Sequence, residues 1–204
     1  MHERSPLLDL VDELDTLAPK GCAVALHIRF ASPLYKFSTY PEAWQTVYDE
    51  NAYGLRDPLV FWGVGVLGSA RWSEIAMPDP FDILGKAKGH GLIYGAVGSF
   101  GKITSRSLMG IARDDRECSD SEIAEAMRIL QRMHELAAPP QELTPAMLSA
   151  LILMGQGYRH TAAAAELGIS ESALKARLSS ARTRLDARTT AEAVRKAREY
   201  GFLS

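Results

Sequence analysis

Two adjacent prolines interrupt the chain in the run Ala137-Ala138-Pro139-Pro140-Gln141, and no other stretch restricts its folding as much. Proline lacks a backbone N–H and pushes the residue before it out of the helical region, so no helix continues through the pair. The residue pattern also changes there. Before the break, helical and strand periodicities alternate; after it, every segment reads as helix. The 204 residues are enough for two modest domains. The expected organisation is an N-terminal domain over 1–137, a linker over 138–142 and a C-terminal domain over 143–204.

In the first part, Leu7, Leu10, Val11, Leu14 and Leu17 recur at helical spacing. From 22 to 30 the period is two, which would put Cys22, Val24, Leu26, Ile28 and Phe30 on one face of a strand. A helix is expected from near Pro41, a residue tolerated in a first helical turn. Residues 91–100 and 102–113 read as adjacent strands with Gly101 at the turn. Ser119-Asp120-Ser121-Glu122 has the form of a capping box opening a helix whose Ile123, Met127, Leu130 and Ala137 share a face. The expected fold class is α+β: an α-β-α sandwich with a central antiparallel sheet. The second part reads as an all-α four-helix domain. Its signals are Thr144-Pro145 at one helix start, the alanine block 162–165 ending at Gly168, Ser170 before Leu174, Leu178, Ala181 and Leu185, and Thr189 or Thr190 before a last helix ending ahead of Gly201.

Composition removes several functions. No apolar run reaches the roughly 18 residues of a membrane span, and residues 1–15 carry acids within their apolar stretch, unlike a signal peptide. Cys22 and Cys118 alone fit a reducing cytoplasm and a packing role. His27, His90 and His134 have no metal-ligand spacing and read as structural or exposed. No Ser/His/Asp set, metal cluster or phosphate loop stands out, so neither an enzyme nor a cofactor is expected. The net charge of −2 conceals an asymmetry: residues 141–204 carry nine Lys and Arg against six acids, a balance of +3, leaving −5 for the rest. A basic module suits a polyanionic partner.

That module carries a second signal. Residues 158–187 read as a helix, a turn at Leu167-Gly168-Ile169 and another helix, which is helix-turn-helix geometry with the second helix free to enter a major groove. Leu174, Leu178 and Leu185 form its buried stripe, and Lys175, Arg177, Arg182 and Arg184 supply cations. Over nearly its whole length the segment resembles the LuxR-type C-terminal domain. The matching residues include Leu143-Thr144-Pro145, Gly157, Leu167-Gly168-Ile169-Ser170, Leu174-Lys175, Leu178, Leu185 and Ala193-Val194. The resemblance implies a third helix that reads double-stranded DNA and a fourth that pairs in a homodimer. It puts Lys175 and Ser179 at base-facing positions and Arg177, Arg182 and Thr161 toward the DNA backbone. The chain departs from the family at Met147, where glutamate is usual.

Tyr40, Trp44 and Tyr48 follow at i, i+4 and i+8, which predicts one stripe on a helix, and Asp57-Pro58 and Trp72 come after. Such a stripe serves either as an aromatic core or as a pocket in which indole and phenol donors and a carboxylate acceptor meet a polar ligand among apolar walls. The set resembles the signal-binding constellation of LuxR-type quorum sensors, whose ligand is an N-acyl-homoserine lactone. That resemblance implies that Trp44 donates to the lactone carbonyl, Asp57 accepts the ligand amide N–H and Tyr40 donates to the amide carbonyl. Tyr48 and Trp72 would wall the ring and acyl chain. Gly95 matches a family glycine. Gly110 falls where many relatives carry Ser or Thr, and a usual proline is replaced near Ser99. The function implied is a cytoplasmic, ligand-responsive transcriptional regulator in quorum sensing. The alternatives are a solo receptor answering another small molecule or none, and an interaction module forming inactive mixed dimers.

Overall fold

The computed structural model describes residues 5–28, 32–138 and 143–203. The chain forms two compact units, residues 1–138 and 139–204. In the first unit the order is α1 (Pro6–Asp15), β1 (Cys22–Ile28), β2 (Tyr35–Ser38), α2 (Glu42–Glu50), α3 (Pro58–Gly65), β3 (Gly68–Arg71), α4 (Ile83–Gly89), β4 (Tyr94–Phe100), β5 (Arg106–Arg113) and α5 (Asp120–Leu136). The strands form one sheet in the order β2-β1-β5-β4-β3, antiparallel throughout.

The two faces of this sheet are filled differently. On one, Cys22, Val24 and Leu26 of β1 and Met109 and Ile111 of β5 meet Leu7, Leu10, Val11 and Leu14 of α1 and Ile123, Ala126, Ile129, Leu130 and Met133 of α5. Burying each of the larger side chains contributes about 1.5–3 kcal/mol against exposure. The other face carries Trp44, Tyr53, Ile83, Ala87 and Leu92 over Ala112. The strand alternation ends earlier than its sequence suggests. His27 has φ of 52°, and the pairing with β5 shifts between Ala25 and Ile28. This bulge pairs Ile28 with Arg106 and turns it away from the Cys22–Leu26 face. Phe30 lies outside the described residues, as do residues 139–142 of the expected linker.

The histidines are not all scattered, as their positions suggest. His27 and His134 stack with ring centroids 4.1 Å apart. His27 Nε2 donates to the His134 carbonyl (2.8 Å), and its Nδ1 meets the Ser105 hydroxyl at 2.8 Å. Ser107 Oγ meets His134 Nδ1 at 2.7 Å. The pair ties the last turn of α5 to the sheet, and burial holds the His134 pKa below its ordinary value.

The capping box at Ser119 is present: Ser119 Oγ accepts from Glu122 N (3.2 Å), and Ser119 N donates to Glu122 Oε2 (2.7 Å). Arg113 and Arg116 also donate to the Glu122 carboxylate, at 2.8 and 2.9 Å.

The second unit contains α6 (Pro145–Gly155), α7 (His160–Glu166), α8 (Glu171–Arg184) and α9 (Thr190–Glu199). Thr144, Ser170 and Thr189 cap α6, α8 and α9 by accepting from the N–H groups of Met147, Ala173 and Glu192. Gly168, at φ 64°, makes the turn between α7 and α8. Leu151, Leu174, Leu178, Leu185 and Val194 form the core, and Met147 lies within it. Methionine at 147 thus serves packing.

Glu122 yields the first prediction. The Arg116 guanidinium, aided by the Ser119 contacts, lowers its pKa from 4.5 to about 2. A carboxylate depressed on folding stabilises fully above its unfolded pKa, and that stability is lost as pH falls through the folded value. Glu122→Gln keeps the capping shape but loses the charge. It should cost about 1–3 kcal/mol at neutral pH, and the difference from the parent should shrink as pH falls from 4.5 toward 2, as read by urea unfolding. Unfolding curves separated equally at pH 7 and pH 2.5 would contradict this role.

Candidate functional site

Tyr40 does not lie on the helix that carries Trp44 and Tyr48. Helix α2 begins at Glu42, with Pro41 at its N-cap. Tyr40 sits just ahead of it, its carbonyl accepting from Gln45 Nε2 at 2.7 Å. The three rings nevertheless converge with Trp72 on the sheet face opposite α5. Trp44 is buried, with Tyr48 at a centroid distance of 5.7 Å, Tyr53 at 6.2 Å and His90 at 5.5 Å.

Two glycines make this convergence sterically possible. A Cβ on Gly95 would lie 2.4 Å from Trp72 Cε2 and 2.4 Å from the Ile111 carbonyl oxygen. A Cβ on Gly110 would lie 2.7 Å from Tyr40 Oη. Trp72 thus lies directly on the backbone of β4, and the Tyr40 hydroxyl on that of β5. The missing side chain at Gly110 gives its space to the Tyr40 hydroxyl.

Asp57 supplies the buried carboxyl group of the site. It is the N-cap of α3, with Pro58 in the first turn. Its Oδ1 accepts from Leu59 N at 2.8 Å, and its Oδ2 from the Tyr48 hydroxyl at 2.8 Å. Burial raises its pKa, opposed by the bonds from Tyr48 and from the Leu59 and Val60 N–H groups. Burial, and after it the neighbouring Asp57, likewise raises the Tyr48 pKa, so this phenol remains a donor. Tyr40 is raised too, by burial first. A carboxylate offers about four lone-pair directions, so Asp57 can hold its two protein partners and still accept from a ligand.

Tyr53, His90, Ile83, Ala87 and Leu92 also belong to this cluster, and sequence spacing does not single them out. Tyr53 follows Ala52, whose φ of 49° breaks the helical register. Lys86 Nζ donates to the Tyr53 hydroxyl at 3.0 Å. No group of three His, Cys, Asp or Glu side chains converges as a metal site among the described residues.

In the second unit, Lys175 and Ser179 are exposed one turn apart on α8, and Arg177 and Arg182 on the same helix are half-buried. Thr161 on α7 donates to Glu171 Oε1 at 2.5 Å, and Lys175 lies 3.8 Å from Glu171 Oε2. Thr161 and Lys175 thus meet at Glu171 in the first turn of α8, while Arg182 lies in its last turn.

A sheet covered by helices on both faces, with aromatic donors and one buried carboxylate gathered on the face opposite α5, defines a small-molecule-binding domain. Residues 25–138, more than half of the chain, match the autoinducer-binding domain family. The chain belongs to that family. The crystal structure of Escherichia coli SdiA is similar at a TM-score of 0.56 and 17% identity, covering 99% of this chain and 94% of SdiA. SdiA in complex with octanoyl-rac-glycerol is similar at a TM-score of 0.56 and 17% identity, over 98% and 91% of the two chains. CepR2 from Burkholderia cenocepacia, an N-acylhomoserine-lactone-dependent LuxR family transcription factor, gives a TM-score of 0.51 and 16% identity over 66% of this chain and 85% of its own. At these identities the likeness concerns the fold. No curated protein matches the sequence. Among the described residues no helix is long and apolar enough to cross a membrane.

The two glycines differ in a testable way. Gly95→Ala meets both a backbone oxygen and a flat ring and should cost about 1–3 kcal/mol. Gly110→Ala meets only a tyrosine hydroxyl and should cost less. Urea unfolding followed by tryptophan fluorescence reports on this unit, since Trp44, Trp62 and Trp72 all lie in it. Equal, negligible costs would show that neither ring depends on the missing side chain.

Proposed function

We propose that this chain is a ligand-responsive, DNA-binding transcriptional regulator that senses an N-acyl-homoserine lactone in quorum sensing and acts in the cytoplasm as a homodimer. The observation that carries the reading is the convergence of Tyr40, Trp44, Tyr48, Asp57 and Trp72 on the glycine-bearing face of the sheet. Asp57 accepts the ligand amide N–H, Tyr40 donates to the amide carbonyl and Trp44 to the lactone carbonyl. Tyr48 and Trp72 wall the ligand, and Gly95 and Gly110 leave it room on the sheet. Support for the DNA-binding half comes from the α7-turn-α8 arrangement with Ser170 capping α8, the basic balance of residues 141–204 and the exposure of Lys175 and Ser179. In this reading α8 enters the major groove, Lys175 and Ser179 face the bases, and Thr161, Arg177 and Arg182 face phosphates. The fourth helix, α9, pairs with that of a second copy.

One observation favours a second reading, in which the site takes another acyl compound. The similar SdiA structure holds octanoyl-rac-glycerol, which has no lactone or amide. The mixed-dimer alternative receives no support from Met147, which is a core residue.

A thermal-shift series separates these readings. Acyl-homoserine lactones should raise the melting temperature of the intact protein. Asp57→Asn should stay folded, because asparagine caps helices about as well as aspartate, yet bind lactone roughly tenfold to a hundredfold more weakly for want of a charged acceptor. Stabilisation by acylglycerols and by no lactone would favour the second reading. For the DNA half, Lys175→Ala should flatten base preference, while Arg182→Ala should weaken all sequences alike and lower the salt dependence. Unchanged site preference in Lys175→Ala would count against α8 as the reading helix.

A further inference from the structure

On the side of the sheet away from the aromatic site, the end of α5 is fastened to the strands through two stacked imidazoles. His27, on the bulge of β1, is 2% exposed, and its ring centroid lies 4.1 Å from that of His134 in the last turn of α5. The last four carbonyls of a helix have no partner within it. His27 Nε2 donates to one of them, the His134 carbonyl, at 2.8 Å. The buried Ser107 hydroxyl joins the two residues a second time, accepting from His27 N at 3.0 Å and meeting His134 Nδ1 at 2.7 Å. Phe100 packs edge-on against His134 at 5.1 Å. Gly101 closes another side, where a Cβ would lie 2.5 Å from His134 Cε1.

The surroundings disfavour a positive charge on these rings. Among the described residues, α5 contributes one acid, Glu135, which is exposed beside His134. β5 contributes Arg106, between the two serines that bond to the rings; it is buried, and its Nη1 donates to the Gly101 carbonyl at 2.8 Å. The β4–β5 turn contributes the exposed Lys102, next to Gly101. From α1, Glu13 is taken by Arg132 at 3.0 Å. One exposed carboxylate thus stands against a buried guanidinium, a lysine and an apolar enclosure. Two imidazolium rings at this separation would also repel each other. Burial accordingly holds the His134 pKa below its ordinary 6.5.

We propose that the His27–His134 pair is a pH-sensitive latch, which fastens the last turn of α5 to the sheet while both rings are neutral and opens on protonation. Acid adds charge to rings that are stacked on each other and shut off from water. The rings separate, the bond from His27 to the His134 carbonyl is lost, and the turn loosens back to Ile129 and Leu130, whose apolar packing holds the body of the helix. This turn leads through Ala137 to Ala138, where the first unit ends, so the latch acts where the chain leaves that unit. The closed form binds the proton less readily than the open one. Closure is therefore complete above pH 6.5 and weakens as pH falls below it. The latch depends on neither the ligand nor the DNA reading.

The test is hydrogen exchange of the full chain, read by mass spectrometry at pH 7.5 and pH 5.0 and corrected for the intrinsic pH dependence of exchange. Protection of amides 133–137 should fall about tenfold at the lower pH, while amides 123–130 of the same helix keep theirs. His134→Asn retains a polar atom for Ser107 and does not titrate, so its last turn should be protected equally at both pH values. A second measurement needs no variant to fold. The His134 ring resonances of the parent should titrate below pH 6.5, with a midpoint that coincides with the loss of protection. Unchanged protection in the parent, a loss spread evenly along α5, a loss that persists in His134→Asn, or a ring midpoint at or above 6.5 would overturn the latch.

Discussion

The unequal filling of the two sheet faces underlies everything else in the first unit. Beneath α1 and α5 the strands present Cys22, Val24, Leu26, Met109 and Ile111, and interdigitated side chains make that layer solid. On the reverse face Gly95 and Gly110 present no side chain, and aromatic rings reach the strand backbone itself. One face gives the domain its stability, while the other brings polar edges of large rings close together in an apolar setting. A Cβ at Gly95 would collide with both a ring and a carbonyl, so the arrangement depends on glycine there.

Asp57 shows how stability and recognition share one residue. A buried carboxylate without partners would be costly, but helix α3 supplies N–H groups at its first turn and Tyr48 supplies a hydroxyl. The aspartate is thus held in the site by the fold before any ligand arrives. Its orientation follows from the cap, so under the proposed function a ligand N–H would meet an acceptor already aimed. Trp72 is held comparably, by the Arg71 contacts on one side and Gly95 on the other. Such preorganisation reduces the ordering cost of binding.

Much of this was legible in the residues, and the rest fails for definite reasons. Helical spacing marks α1 and α5, while capping residues mark the helices of the second unit, and the caps at Ser119, Thr144 and Ser170 carry the expected hydrogen bonds. Strands β2 and β3 are four residues each, too short for a period to show. Helix α3, PLVFWGVG, has no polar residue, so no amphipathic signal distinguishes it. The bulge at His27 and the His27–His134 stack arise from long-range pairing that local pattern cannot report. Spacing and family resemblance single out Tyr40, Trp44, Tyr48, Asp57 and Trp72, which the fold brings together. Tyr53 and His90 were missed, because a left-handed Ala52 and a chain reversal bring them in.

The central proposal is that the glycine-bearing face selects an N-acyl-homoserine lactone. It is tested most directly by purifying the protein from cells supplied with an equimolar mixture of acyl-homoserine lactones and acylglycerols, then identifying the co-purified compounds by mass spectrometry of the organic extract. The account predicts one lactone near one per chain, enriched far above its share of the mixture. Recovery of acylglycerol alone, or of all compounds in proportion to supply, would contradict it.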